Sequence, residues 1–212
     1  AGPSGVAPGR NGDYYVASFA SNEVLRFSAN AGLRAKLTGG LEGYNKPFDI
    51  LFLSDRNFVF VSEFGANRIT RSSSEGSQIL RFGKSGRAEG ELLGPQYLTE
   101  DGRGYLYVTE AGNRRVSKFD LDGNFILSFG QRGGGYSGLM EPAGIAALED
   151  YRLVADTRKK EIALFDYSGN YLRSVGGGEL RNPAGVRRYS HHTLLAAGGK
   201  RLLLYCLRGD SF

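Results

Sequence analysis

The chain has 212 residues, with 32 glycines, 12 tyrosines, 13 phenylalanines, no tryptophan and a single cysteine, Cys206. A chain of this length buries most of its apolar surface without a staple, and one cysteine excludes both an internal disulfide framework and a multi-cysteine zinc site. Its 27 basic and 22 acidic residues leave a net charge of +5, spread in both signs along the chain, which permits an anionic partner without requiring one.

The elements recur in chain order. The first copy opens at Pro3-Ser-Gly5-Val6, followed by strand-like runs at 14–17, 24–27 and 33–37. The second opens at Pro47-Phe-Asp-Ile50 and continues with 59–62, 69–71 and 78–82. The third opens at Pro95-Gln-Tyr-Leu98, with 106–109, 116–119 and 125–129. The fourth opens at Pro142-Ala-Gly144-Ile145, with 152–155, 162–165 and 171–175. The fifth opens at Pro183-Ala-Gly185-Val186, with 194–197 and 202–205 and no fourth run. The anchor prolines lie 44, 48, 47 and 41 residues apart. The runs are rich in β-branched and aromatic residues, and most of the third runs alternate with period two. Asp122-Gly123 and Ser168-Gly169 supply hairpin chemistry between the third and fourth runs. No stretch carries a sustained helical period.

Four short antiparallel strands cannot bury both faces alone, and stacking such units about an axis solves this. The expected fold class is all-β: a β-propeller of about five four-stranded blades with the last one incomplete, in a single domain spanning 1–212. An open β-solenoid and a β-sandwich are the competing architectures. The copies span 3–46, 47–94, 95–141, 142–182 and 183–212.

The segment from Gly90 to Gly130, with Asp101-Gly-Arg-Gly-Tyr-Leu-Tyr-Val-Thr-Glu110, Ala111-Gly-Asn113-Arg-Arg-Val116 and Asp122-Gly123-Asn124, resembles a complete NHL repeat. The copies at 142–176 and 47–83 are close variants, and the first and last are weaker. The resemblance implies an NHL-type propeller, which usually has six blades. Five anchors and an incomplete last copy depart from that pattern. They leave open a closed five-bladed ring, or an open or truncated six-bladed one.

In such a propeller the turns joining second to third strands share one face with the connections between blades, and loops on a rigid scaffold are where binding concentrates. The candidate binding residues on that face are Glu63, Arg68, Glu110, Arg114, Arg115, Arg132, Tyr136, Asp156, Arg158, Lys159 and Lys160. Counted from sequence, the face holds thirteen basic and ten acidic residues, a mixture that suits a protein or peptide partner. Glu63, Glu110 and Asp156 end the second strand of three successive copies. They either cap their own turns or ring a channel mouth that could take calcium or another divalent cation. Leu92, Leu139 and Leu180, each three residues before an anchor proline, read as packing plugs, with Tyr44 in the equivalent slot.

The expected role is a non-catalytic binding scaffold, part of a longer sensor or adaptor protein. The alternatives are an RNA-binding NHL propeller and a metal-dependent lactonase- or lyase-like enzyme. Lyases of related type use several separated histidines, whereas His191 and His192 here are adjacent. Arg208-Gly-Asp210 matches an adhesion tripeptide, read as coincidence. The lone cysteine fits either a reducing cytosol or a bacterial envelope, and the start at Ala1 with the bacterial look of the repeats tilts the expectation toward a processed, exported periplasmic or cell-envelope domain.

Overall fold

The structure is a computed structural model that describes residues 2–177, 180–190 and 193–206; Glu179, His191, His192 and the tripeptide at 208–210 lie outside them. The described residues form nineteen β-strands and no α-helix, the one helical turn being a 3-10 turn at Arg10–Gly12. No helix among them is long and apolar enough to cross a membrane.

The first sheet runs β1 (Pro3–Pro8), β2 (Tyr14–Ser18), β3 (Glu23–Phe27) and β4 (Leu33–Leu37), each strand beside the next in sequence. The second runs β5 (Pro47–Leu53), β6 (Phe58–Glu63), β7 (Arg68–Ser73) and β8 (Leu80–Phe82). The third runs β9 (Pro95–Glu100), β10 (Tyr105–Glu110), β11 (Arg115–Asp120) and β12 (Phe125–Phe129). The fourth runs β13 (Pro142–Ala147), β14 (Arg152–Asp156), β15 (Glu161–Phe165) and β16 (Tyr171–Val175). The fifth, three-stranded among the described residues, runs β17 (Pro183–Arg188), β18 (Thr193–Gly198) and β19 (Arg201–Cys206). These are propeller blades, and the all-β propeller expected from the repeats is the fold. One strand is shorter than the sequence suggests: β8 starts at Leu80 because Gln78 takes a left-handed backbone, φ 54°.

The recurring proline has a structural cause. Each of β1, β5, β13 and β17 starts on its proline, and the pairing register shifts immediately after it, between Pro3 and Gly5, Pro47 and Ile50, Pro142 and Ile145, and Pro183 and Gly185. A strand start beside a bulge is where a residue without an N–H fits. The glycine that follows serves close packing. A Cβ on Gly144 would lie 2.6 Å from the backbone N of Val186 in β17, and one on Gly5 would lie 2.7 Å from Asp49 Cα in β5. The innermost strands of neighbouring blades therefore approach too closely for any side chain there.

The chain packs as two compact units, residues 1–98 with 122–125, and residues 99–121 with 126–212. In the first, Tyr15, Ala17, Val24, Leu37, Ile50, Val59 and Val61 form one buried cluster. The same inward alternation buries Val108, Val116, Ile145, Leu153, Ile162 and Val186 in the second. The plugs are buried as the spacing suggests, Leu92, Leu139 and Leu180 fully and Tyr44 nearly so.

Candidate functional site

In the first unit the turn from β6 to β7 is built around Glu63, which is fully buried. Glu63 is paired across the strands with Arg68. Arg68 Nε donates to Glu63 Oε1 at 3.0 Å, the Thr70 hydroxyl donates to the same oxygen, and the Asn45 N–H donates to Oε2 at 2.8 Å. The turn from β10 to β11 in the second unit repeats the device. Arg115 Nε reaches Glu110 Oε1 at 2.7 Å, Ser117 Oγ donates to the same atom at 2.6 Å, and Asn113 Nδ2 donates to Oε2 at 2.6 Å. The turn from β14 to β15 departs from it, because the residue across from Asp156 is Glu161 and no arginine is available. Asp156 instead accepts backbone N–H bonds from Met140, Glu141 and Lys159, at 2.7, 3.2 and 3.1 Å.

All three carboxylates are thus fully buried and engaged with their own turns and connections. Among the described residues no group of three His, Cys, Asp or Glu side chains is placed to hold a metal ion. The spacing behind the device is acid, arginine five residues on, hydroxyl seven residues on, as in Glu63-Arg68-Thr70 and Glu110-Arg115-Ser117. In this spacing Arg68 matches Arg115, and Asn67 matches Arg114.

The other cations divide by unit. On the loop end of the first unit, Arg68 also bonds Glu42, Lys84 Nζ lies 3.4 Å from Glu91, and Lys46 Nζ sits 5.7 Å over the Phe19 ring. On the loop end of the second unit, Arg114, Arg132, Arg158 and Lys160 are exposed, and no acidic side chain among the described residues pairs with them. The connection at 130–141 touches both neighbouring turns: a Cβ on Gly130 would lie 3.9 Å from Arg115 Cα, and two hydrogen bonds join it to the 156–161 turn. Thr157 N–H donates to Glu141 O at 3.0 Å, and Lys159 Nζ donates to Ser137 Oγ at 2.8 Å. Of the acids on these loops among the described residues, Glu141 is exposed, while Glu161 lies 3.8 Å from Lys159.

Beside Arg132 lies a cleft of about 420 Å³ whose walls include Phe129, Tyr136, Phe165 and Tyr171. Tyr136 is enclosed, stacked on Tyr171 at 4.0 Å with Lys159 Nζ 4.3 Å over its ring, and burial pushes its hydroxyl well above the usual tyrosine range.

A second charged cluster in this unit lies at the other strand ends and was not visible in the sequence. Arg152, fully buried, reaches Asp101 at 2.9 Å, and Lys118 is sandwiched by Tyr167 and Tyr105 at 3.8 and 4.1 Å. Burial holds the Lys118 ammonium below its ordinary range. Such a paired and caged set is the ordinary way of tolerating buried charge.

No family model matches this sequence, and no curated protein sequence does. Solved structures do match. A structure of the nidogen/laminin complex is similar at a TM-score of 0.76 and 18% identity, covering 97% of this chain and 76% of that one. Catalytically inactive virginiamycin B lyase from Staphylococcus aureus with quinupristin is similar at 0.70 and 15% identity, covering 99% and 71%. A streptogramin B lyase is similar at 0.67 and 14% identity, covering 98% and 69%. At these identities the likeness establishes the propeller fold, and fold alone does not choose a function.

Proposed function

We propose that the chain is a binding module without catalysis of its own, an NHL-type propeller that presents the loop end of its blades to a protein or peptide partner. The observation that carries this reading is how the polar groups are used. The acids that could do chemistry, Glu63, Glu110 and Asp156, are buried and spent on their own turns, whereas Arg114, Arg132, Arg158 and Lys160 are exposed on loops held by rigid strands, with no acidic partner among the described residues. The neighbours include a propeller in a protein complex and lyases. The lyase with quinupristin is inactive through replacement of one histidine, and this chain has two histidines, adjacent in sequence. RNA is the second reading, favoured by the unpaired cations.

Selection of a displayed random-peptide library against the whole chain tests this. Enriched peptides should lose binding when Arg132 and Arg158 are both replaced by alanine. Enrichment that ignores those replacements, or no enrichment at all, would count against it.

A further inference from the structure

The turn from the second to the third strand places one residue, four after the strand-end position, in the left-handed backbone region in four of the blades. The residues are Asn22 (φ 57°), Asn67 (φ 52°), Arg114 (φ 52°) and Lys160 (φ 60°). Asparagine suits that conformation, and long β-carbon side chains do not. The two asparagines also work there: Asn22 Oδ1 accepts the Lys46 N–H at 2.7 Å, and Asn67 Oδ1 accepts the Gly94 N–H at 2.7 Å. Arg114 and Lys160 forgo those bonds, take an uncomfortable backbone and end exposed without an acidic partner among the described residues. Lys46 of the first unit shares the left-handed backbone, φ 48°, but sits over the Phe19 ring, whereas no aromatic or acidic partner among the described residues accounts for Arg114 or Lys160.

We propose that the loop end of the second unit binds an extended acidic polypeptide segment, with Arg114, Arg132, Arg158 and Lys160 as its carboxylate-recognising groups. This rests on the binding-module reading and names its partner's chemistry. Three of the four are arginines, whose planar fork takes a carboxylate with two parallel hydrogen bonds. Single-stranded nucleic acid would also need open ring faces on which bases stack. The rings beside Arg132 are largely spent on one another: Tyr136 is covered by Tyr171 on one contact and Lys159 on another, with Phe165 edge-on at 5.6 Å, and Phe129 and Phe165 are buried. An acidic peptide needs no stacking platform.

The test is fluorescence anisotropy of the whole chain with three labelled probes: a short Asp/Glu peptide, its Asn/Gln counterpart and a single-stranded RNA of equal charge. The acidic peptide should bind, weaken as salt rises, and bind about tenfold more weakly to the Arg114→Asn, Lys160→Asn double variant. Because asparagine occupies the same position in the first unit, this variant should melt no lower than the parent. A lower melting temperature would mean that the two cations serve the fold. Unchanged affinity in the variant, equal binding of the neutral peptide, or tighter binding of RNA would each overturn the proposal. Library peptides that are neutral yet depend on Arg132 and Arg158 would sink the acidic partner and leave the binding-module reading standing.

Discussion

The turns of the first unit close upon themselves, and those of the second open outward. At 18–23 and 63–68 the left-handed position is asparagine, bonded to the following connection, and the nearby cations are drawn into Glu42, Glu91 or an aromatic face. At 110–115 and 156–161 the same position carries Arg114 or Lys160, and the charge stays exposed. One backbone device therefore serves two ends. Where asparagine fills it, side chains stitch neighbouring segments; where a cation fills it, the scaffold forgoes a stitch and displays charge.

The largest test of this contrast concerns the acids beneath the turns. Glu63→Ala removes the buried acid that pairs with Arg68, which keeps Glu42, and leaves the Thr70 hydroxyl and the Asn45 N–H unmet, so it should cost about 2–3 kcal/mol in a denaturant titration. Asp156→Ala strands no cation and only leaves backbone donors unmet, for a smaller loss of about 1–2 kcal/mol. Equal losses would mean that the two turns are held in the same way.

Alkali, compared between the parent and one variant, probes the tyrosine plug of the first unit. Tyr44 plugs the slot that Leu139 and Leu180 fill elsewhere, and burial, followed by the Glu63 charge, pushes its hydroxyl up to about 12. The folded chain keeps this proton while the unfolded one releases it near 10, so stability is intact below pH 10 and declines as pH rises toward 12. The span corresponds to about 2–3 kcal/mol. Tyr44→Phe should flatten that decline by this amount, and an unchanged slope would show that the hydroxyl is not held protonated.

The smallest effects lie at the left-handed position itself. Asn67→Ala should lose about 1 kcal/mol with its hydrogen bonds to Gly94 and Ser85. Lys160→Asn should gain up to about 1 kcal/mol by relieving the backbone. Opposite signs in thermal melts would confirm that the two positions answer to different demands.

Much of the architecture is legible in the sequence because a blade is local. Proline anchors, alternating runs and Asp-Gly or Ser-Gly turns each report on neighbours a few residues away. The plugs are legible for the same reason. Charge is not. Counting thirteen bases against ten acids on the loop face treats Glu63 and Glu110 as surface groups. Only the cross-strand register shows that Arg68 and Arg115 consume them. Likewise Asp156 looks like Glu110 in sequence until its partner across the strands proves to be Glu161. The face that reads as mixed in composition displays, among the described residues of the second unit, four exposed cations without an acidic partner. Nothing local marks Arg152 or Lys118 either, since their partners Asp101 and Tyr167 come from distant turns.

Backbone amide NMR during titration with the acidic peptide reads the contrast residue by residue. The amides of Arg114, Arg132, Arg158 and Lys160 should shift together and saturably, while those of Asn22 and Asn67 stay in place. Shifts spread equally over both sets of turns, or confined to the first unit, would show that the exposed cations of the second unit were never the binding surface.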